Sequence, residues 1–156
     1  MNREEFSKFY LAYKTMAFNI CYSYLRNVSD AEDATLDTFM KVYGVRNKFE
    51  SSEHAKNYLI RVAINTSKDY LRRKRSLPLK EEVIGNDDKV EIDTHFVWEV
   101  VNNLPNKQKD VIYLRYILDL PYKDIANILK ISEETARKRH ELAIKKLRVL
   151  SGGNNE

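Results

Sequence analysis

The sequence predicts an all-α protein: two small helical domains joined by a flexible linker, the C-terminal one carrying a helix-turn-helix. Three observations predict it. Of 156 residues only 4 are Gly and 3 are Pro, and alternating β-branched runs are few, which favours helix over strand. Apolar side chains recur at three- and four-residue spacing through most of the chain. The stretch SLPLKEEVIGNDDKVEIDT, from Ser76 to about Thr94, loses that period and gathers Pro, Gly and Asn-Asp, so it reads as a linker between two periodic halves. The expected organisation is a domain over 1–75, a linker over 76–93, a domain over 94–150 and a tail over 151–156.

The first helix spans about residues 3 to 25, where Phe6, Phe9, Tyr10, Tyr13, Ala17 and Ile20 fall on helical spacing. Asn27 to Asp30 interrupts it, and Ser29 is the expected N-cap of a second helix opening DAEDATLDTF. Its acidic first turn complements the helix dipole. Ala31, Thr35, Thr38, Phe39 and Val42 share one face, Gly44 ends the helix, and a polar loop runs from Val45 to Glu53. A third helix is expected from about His54 to Arg75, with Leu59, Val62, Ala63, Thr66 and Tyr70 turned inward. Tyr58, Arg61, Asn65, Lys68, Arg72 and Arg75 form another face of it at steps of three or four. From His54 to Arg75 there are seven Lys/Arg and one acid, Asp69, the strongest charge concentration in the chain.

The second half predicts four shorter helices, at about 94–103, 106–118, 122–129 and 133–149. Val111, Leu114, Ile117 and Leu118 share a face of the second. Tyr122, Ile125, Ala126 and Leu129 follow the i, i+3, i+4, i+7 rule in the third. The last turns Ala136, His140, Ala143 and Leu147 inward. Small alanines at 126 and 136, a corner residue at Ile131 and a capping Ser132 make the last two helices read as a helix-turn-helix.

Composition excludes more than it assigns. Lys+Arg of 27 against Asp+Glu of 23 leaves a net charge of +4, too small an excess to establish a nucleic-acid partner without its distribution. Cys21 is the sole cysteine and lies in the apolar run AFNICYSYL, so it reads as a buried structural thiol, with neither an internal disulfide nor a thiolate metal cluster. MNREEFSKFY lacks signal-peptide architecture and no apolar run approaches membrane-spanning length, so a cytoplasmic protein with no membrane insertion is expected. His54, His95 and His140 have no Cys, Asp or Glu companions at ligand spacing, and no Gly-rich phosphate loop or nucleophile motif occurs. The expectation is a protein that is not an enzyme, with no metal and no cofactor.

Two helix faces carry the chemistry. With Ala136, His140 and Ala143 inward, Glu133, Glu134, Arg137, Lys138 and Glu141 face out, beside Thr135. The major groove offers donors as well as acceptors: Arg and Lys bind guanine edges, and Glu accepts from cytosine N4. Carboxylates repel phosphates, so the mixture points to base reading, against the simpler reading of a solvated face with pairs such as Glu134–Lys138. In the first domain, cations interleaved with Tyr58 and Asn65 suit a strand with partly exposed bases, where stacking and phosphate contacts combine. A solubilising face is the competing reading.

Together these segments resemble the extracytoplasmic-function (ECF) sigma factors, the smallest members of the bacterial sigma-70 family. DAEDATLDTFMKVY resembles the family's core-polymerase-binding segment, and NYLIRVAINTSKDYLRRKR the segment that melts and reads the minus-ten element. LPNKQKDVIYLRYILDLPYKDIANILKISEETARKRHELAIKKLR resembles the region that reads the minus-thirty-five element. The resemblance implies that Asp33, Leu36, Asp37 and Met40 lie on or near the face that grips the polymerase clamp helices. It implies that the loop of Lys48, Phe49, Glu50, Ser51 and Ser52 captures a base flipped from the non-template strand. Tyr58, Arg61, Asn65, Lys68 and Arg72 then hold the melted strand, while Glu133, Glu134, Thr135, Arg137, Lys138 and Glu141 lie in the duplex-reading helix. Leu36 stands where the family usually has Gln, Tyr58 where it usually has Trp, and Leu142 where Arg is frequent. The implied partners are bacterial core RNA polymerase, promoter DNA and an anti-sigma factor. The alternative from the residues alone is a stand-alone helix-turn-helix transcription regulator.

Overall fold

In a computed structural model the chain divides into two compact units, Met1–Asp87 and Asp88–Glu156. The structure describes residues 1–75 and 99–150 of them. The expected linker over 76–93 and tail over 151–156 lie outside the described residues, among which every regular element is helical.

The first unit is three packed helices: α1 (Arg3–Leu25), α2 (Val28–Gly44) and α3 (Ser52–Arg75), with a 3-10 turn at Arg46–Lys48 before α3. A capping box opens α1: the Glu5 amide donates to Asn2 Oδ1 at 2.8 Å and the Asn2 amide to Glu5 Oε1 at 2.9 Å. Arg26 closes it in the left-handed region, φ 52°. Ser29 was the expected cap of α2, but the structure corrects this. Asn27 has the extended cap backbone and its Oδ1 accepts from the Asp30 amide at 2.8 Å, so α2 starts at Val28. Likewise α3 starts at Ser52, two residues before the expected His54, because Ser51 Oγ accepts from the His54 amide at 3.0 Å.

Most of the stripes that the periodicity predicts meet in one core, but Tyr10 is exposed and Val62 and Tyr70 are only half-buried. Ala17, Ile20, Cys21, Tyr24, Phe39, Val42, Leu59 and Ala63 are all buried, and so are Ile60, Ile64 and Ser67, which widens the inward stripe of α3. Full burial of side chains such as Leu59 or Ile60 contributes roughly 1.5–3 kcal/mol each. The buried hydroxyls of Thr35, Thr38 and Ser67 donate to carbonyls one turn back at 2.6, 2.7 and 2.8 Å, so they enter the core satisfied. Burial also pushes the Cys21 thiol up, its Sγ lying 4.0 Å from the Ala63 carbonyl oxygen.

The second unit holds a helical stretch at 99–102 and then α4 (Asn106–Tyr116), α5 (Tyr122–Leu129) and α6 (Glu133–Leu150). The helix expected over 106–118 ends sooner, at Tyr116. Asp119 turns left-handed at φ 54° and the Leu120 amide closes the turn on the Leu114 carbonyl at 3.2 Å. Ile117 and Leu118 therefore sit half-buried in this turn and do not extend the helical face. Pro121, with φ −74°, leads into α5. The corner between α5 and α6 forms as Lys130 goes left-handed at φ 60° and the Ile131 amide donates to the Ala126 carbonyl at 3.0 Å. Ser132 Oγ then caps α6 through the Thr135 amide at 3.0 Å. Ala126 and Ala136 are both buried, which lets the two helices approach closely.

Candidate functional site

The candidate residues of α2 fall on two faces of the helix. Asp33, Leu36 and Met40 are exposed, Leu36 at 57% and Met40 at 65%. Asp37 turns toward α3, where its Oδ2 accepts from the Tyr70 hydroxyl at 2.8 Å. Burial and that bond to a carboxylate push the Tyr70 hydroxyl up to about 12. Lys41 Nζ donates to Thr66 Oγ1 at 3.1 Å, and Lys74 pairs with Asp30 at 2.7 Å. Three polar links thus tie the back of α2 to α3 while Asp33, Leu36 and Met40 stay open. Beside them lies an apolar groove of about 500 Å³ between α1 and α2, lined by Tyr10, Leu11, Leu36, Met40 and Tyr43. Sequence reasoning missed the α1 wall. Its signal was Leu11, apolar off the inward stripe and 64% exposed.

The loop before α3 is held by aromatic packing. Phe49 is half-buried with its ring 5.4 Å from Tyr58 and 5.3 Å, edge-on, from His54. The Glu50 amide donates to His54 Nδ1 at 3.2 Å. His54 therefore fixes this loop, a role its sequence position did not announce. Lys48, Glu50, Ser51 and Ser52 are exposed. The loop faces α1 across a cleft of about 600 Å³ whose wall includes Lys8, Phe9 and Tyr13. Further along α3, Tyr58, Arg61 and Lys68 are half-buried while Asn65 and Arg72 are exposed. Arg72 pairs with Asp69 at 2.6 Å, a surface ion pair of the kind that contributes only ~0–1 kcal/mol. The structure brings the loop and the start of α3 together through Phe49 and Tyr58, and leaves Arg72 more than three turns along the same helix.

On α6 the outward set is as the spacing predicts. Glu133, Glu134, Arg137, Lys138 and Glu141 are exposed, and Thr135 is half-buried with its Oγ1 accepting from Ser132 Oγ at 2.9 Å. His140, expected as a plain packed residue, is half-buried and engaged at both ring nitrogens. The Tyr116 hydroxyl lies 2.8 Å from Nε2 and the Tyr122 hydroxyl 2.6 Å from Nδ1. Burial, then the nearby Arg115 guanidinium, holds this imidazole below its ordinary value. The Arg137 guanidinium lies over the Tyr122 ring, 5.3 Å from its centroid.

Among the described residues no group of three or more His, Cys, Asp or Glu could hold a metal ion, and no helix is long and apolar enough to cross a membrane. What the surfaces offer is an open apolar face, a loop beside a cleft, a cationic helix and a mixed-charge helix set in a helix-turn-helix.

The sequence profile of Sigma-70 region 2 matches residues 9–77, and that of Sigma-70, region 4 matches residues 100–149. The chain is 28% identical to the ECF RNA polymerase sigma-E factor of Haemophilus influenzae, over 71% of this chain and 69% of that protein. It is 27% identical to the ECF RNA polymerase sigma factor SigW of Bacillus subtilis, over 81% of this chain and 78% of that one. Among solved structures, the sigma factor RpoE of Bartonella quintana, crystallised with the anti-sigma factor NepR, superposes with a TM-score of 0.76. That match is at 20% identity over 97% of this chain and 99% of that chain. CnrH, solved with the cytosolic domain of CnrY, gives a TM-score of 0.76 at 18% identity, over 99% and 92% of the two chains.

Proposed function

The chain belongs to the sigma-70 family, as an RNA polymerase sigma factor of the ECF type, and from this premise we propose how its surfaces divide the work. It directs core RNA polymerase to specific promoters and starts transcription there. The single observation that carries this reading is the pair of matched regions, 2 then 4, in one chain.

In the proposed division, residues 1–75 dock on the polymerase and open DNA, residues 76–93 connect, and residues 94–150 read duplex. Asp33, Leu36 and Met40 meet the polymerase. Their exposure supports this. Asp37 stands at the edge of that face and braces α3 through Tyr70. The loop at Lys48, Phe49, Glu50, Ser51 and Ser52 receives an unstacked base, which supplies part of the few kcal/mol that unstacking costs. Tyr58, Arg61, Asn65, Lys68 and Arg72 hold the parted strand by stacking and phosphate contact. The α6 set reads the upstream element in the major groove.

Neither DNA contact is large, so both act through the effective concentration that docking on one enzyme confers. RNA synthesis, and the metal it uses, belongs to the polymerase, so this chain is not itself an enzyme. It works in the cytoplasm, where the polymerase is. An anti-sigma protein that covers the polymerase-docking and DNA faces is the expected control, as the two structural neighbours were each solved with a partner of that kind or with a cytosolic domain. The test is purified chain plus bacterial core polymerase on genomic promoter fragments. Discrete transcripts that require the chain are expected; their absence from every fragment overturns the reading.

A further inference from the structure

The Arg137 side chain does not hang free of the recognition helix. Its guanidinium carbon is 5.3 Å from the centroid of the Tyr122 ring, within reach of a cation–π contact. The same ring carries the Arg115 guanidinium at 4.9 Å, and Arg115 is itself anchored by a 3.0 Å hydrogen bond from Nη1 to the Leu120 carbonyl. Its hydroxyl is held at 2.6 Å by His140 Nδ1, whose other nitrogen lies 2.8 Å from the Tyr116 hydroxyl. A neutral imidazole has one donor and one acceptor nitrogen, so one tyrosine donates to the ring while the other accepts from it, and both bonds form together. These contacts join residues from three helices.

We propose that Tyr122, locked by His140, is a positioning residue that pre-sets the Arg137 guanidinium for base recognition in the major groove. The proposal rests on the reading of α6 as the duplex-reading helix and names what makes one of its side chains selective. An arginine has five donors on a long flexible stem. Held on a fixed ring, it meets a guanine edge without first losing that freedom, and the saving falls on the base it reads. Ordering one such side chain corresponds to roughly a two- to twelve-fold change in binding.

The test uses holoenzyme, the full chain with core polymerase, on a promoter fragment that yields a discrete transcript, with each upstream base pair varied in turn. Arg137→Ala identifies the base pair whose preference depends on Arg137. Tyr122→Phe keeps the ring and loses the hydroxyl; His140→Gln keeps a polar atom toward Tyr116 and loses the one toward Tyr122. Each is expected to flatten preference at that same base pair by about two- to twelve-fold. His140→Asn, which keeps the polar atom toward Tyr122, retains the preference. In the Arg137→Ala background, Tyr122→Phe changes nothing further at that position.

Losses that multiply independently of Arg137, or that weaken every sequence alike, overturn the proposal and leave the three residues a merely structural role. Absence of any transcript refutes the functional reading instead. The free chain then still decides the platform: NMR should show the Arg137 guanidinium resonances displaced by the Tyr122 ring current, less so in His140→Gln and unchanged in His140→Asn. Resonances without that displacement overturn the platform itself.

Discussion

Tyr70→Phe isolates one of the three polar links between α2 and α3. It deletes a single hydroxyl that donates to Asp37 Oδ2 at 2.8 Å and leaves the ring in place. Hydrogen bonds to charged groups contribute ~1.5–3 kcal/mol when both partners are dry. Tyr70 and Asp37 are each half-buried, so water replaces part of the lost bond and the expected cost is ~1 kcal/mol. Native-state hydrogen exchange reads the first unit by itself, which a global melt of a two-unit chain does not. The core amides of α2 and α3 should exchange about fivefold faster, the factor that ~1 kcal/mol implies. Asp37→Ala should have a similar effect, and the double variant little more than either alone. The sign with pH also follows. Because the folded hydroxyl is pushed up to about 12, the bond's contribution is complete below the ordinary tyrosine range near ~10 and is lost as pH rises toward 12. Tyr70→Phe abolishes that alkaline loss. Unchanged exchange in Tyr70→Phe and Asp37→Ala, with polymerase docking lost in the latter, would refute the bracing role and make Asp37 a direct polymerase contact.

Three further outcomes are expected. Ala136→Leu places a large side chain where the buried Ala126 and Ala136 allow α5 and α6 to approach, so the second unit should lose ~1–3 kcal/mol by overpacking, read from hydrogen exchange in α5 and α6. Cys21 is buried with its thiol pushed up, and a thiol reagent should label it only at the rate at which the first unit opens. The second unit should weaken as pH falls. Burial, then Arg115, holds His140 below its ordinary value near ~6.5 while Glu141 works the other way, so its contribution is complete above that value and is lost as pH drops through the folded value. An acid-side loss of stability that His140→Asn removes would check this.

Helix identity was legible because periodicity is local. Each apolar position needed by the core of α1, α2 and α5 lies within a turn of the next, and a window of ten residues reveals it. Boundaries were less legible because capping is a competition. Both Asn27 and Ser29 are good caps, and the chain uses the one whose Oδ1 reaches the Asp30 amide. The early end of α4 depends on Asp119 taking a left-handed backbone, which no repeat of apolar residues encodes. The candidate surfaces divided in the same way. Exposure of Arg137 and Lys138 followed from their phase on the helix, whereas Leu36 and Met40 were singled out only by the family resemblance. The contacts that set their context join residues far apart in sequence: Asp37 with Tyr70, Tyr116 and Tyr122 with His140. Nothing in the sequence around His54 marks its role, since the structure uses it to hold the loop beside it through the Glu50 amide.

The most direct measurement is the affinity of the chain for one promoter fragment, alone and with core polymerase. Two modest DNA surfaces brought together by docking should gain roughly 10²–10⁴-fold over the free chain, with base preference at both elements appearing only in the complex. If the free chain already binds the fragment as tightly and selectively, or if core polymerase does not capture it, the chain is a regulator acting by itself and the account fails.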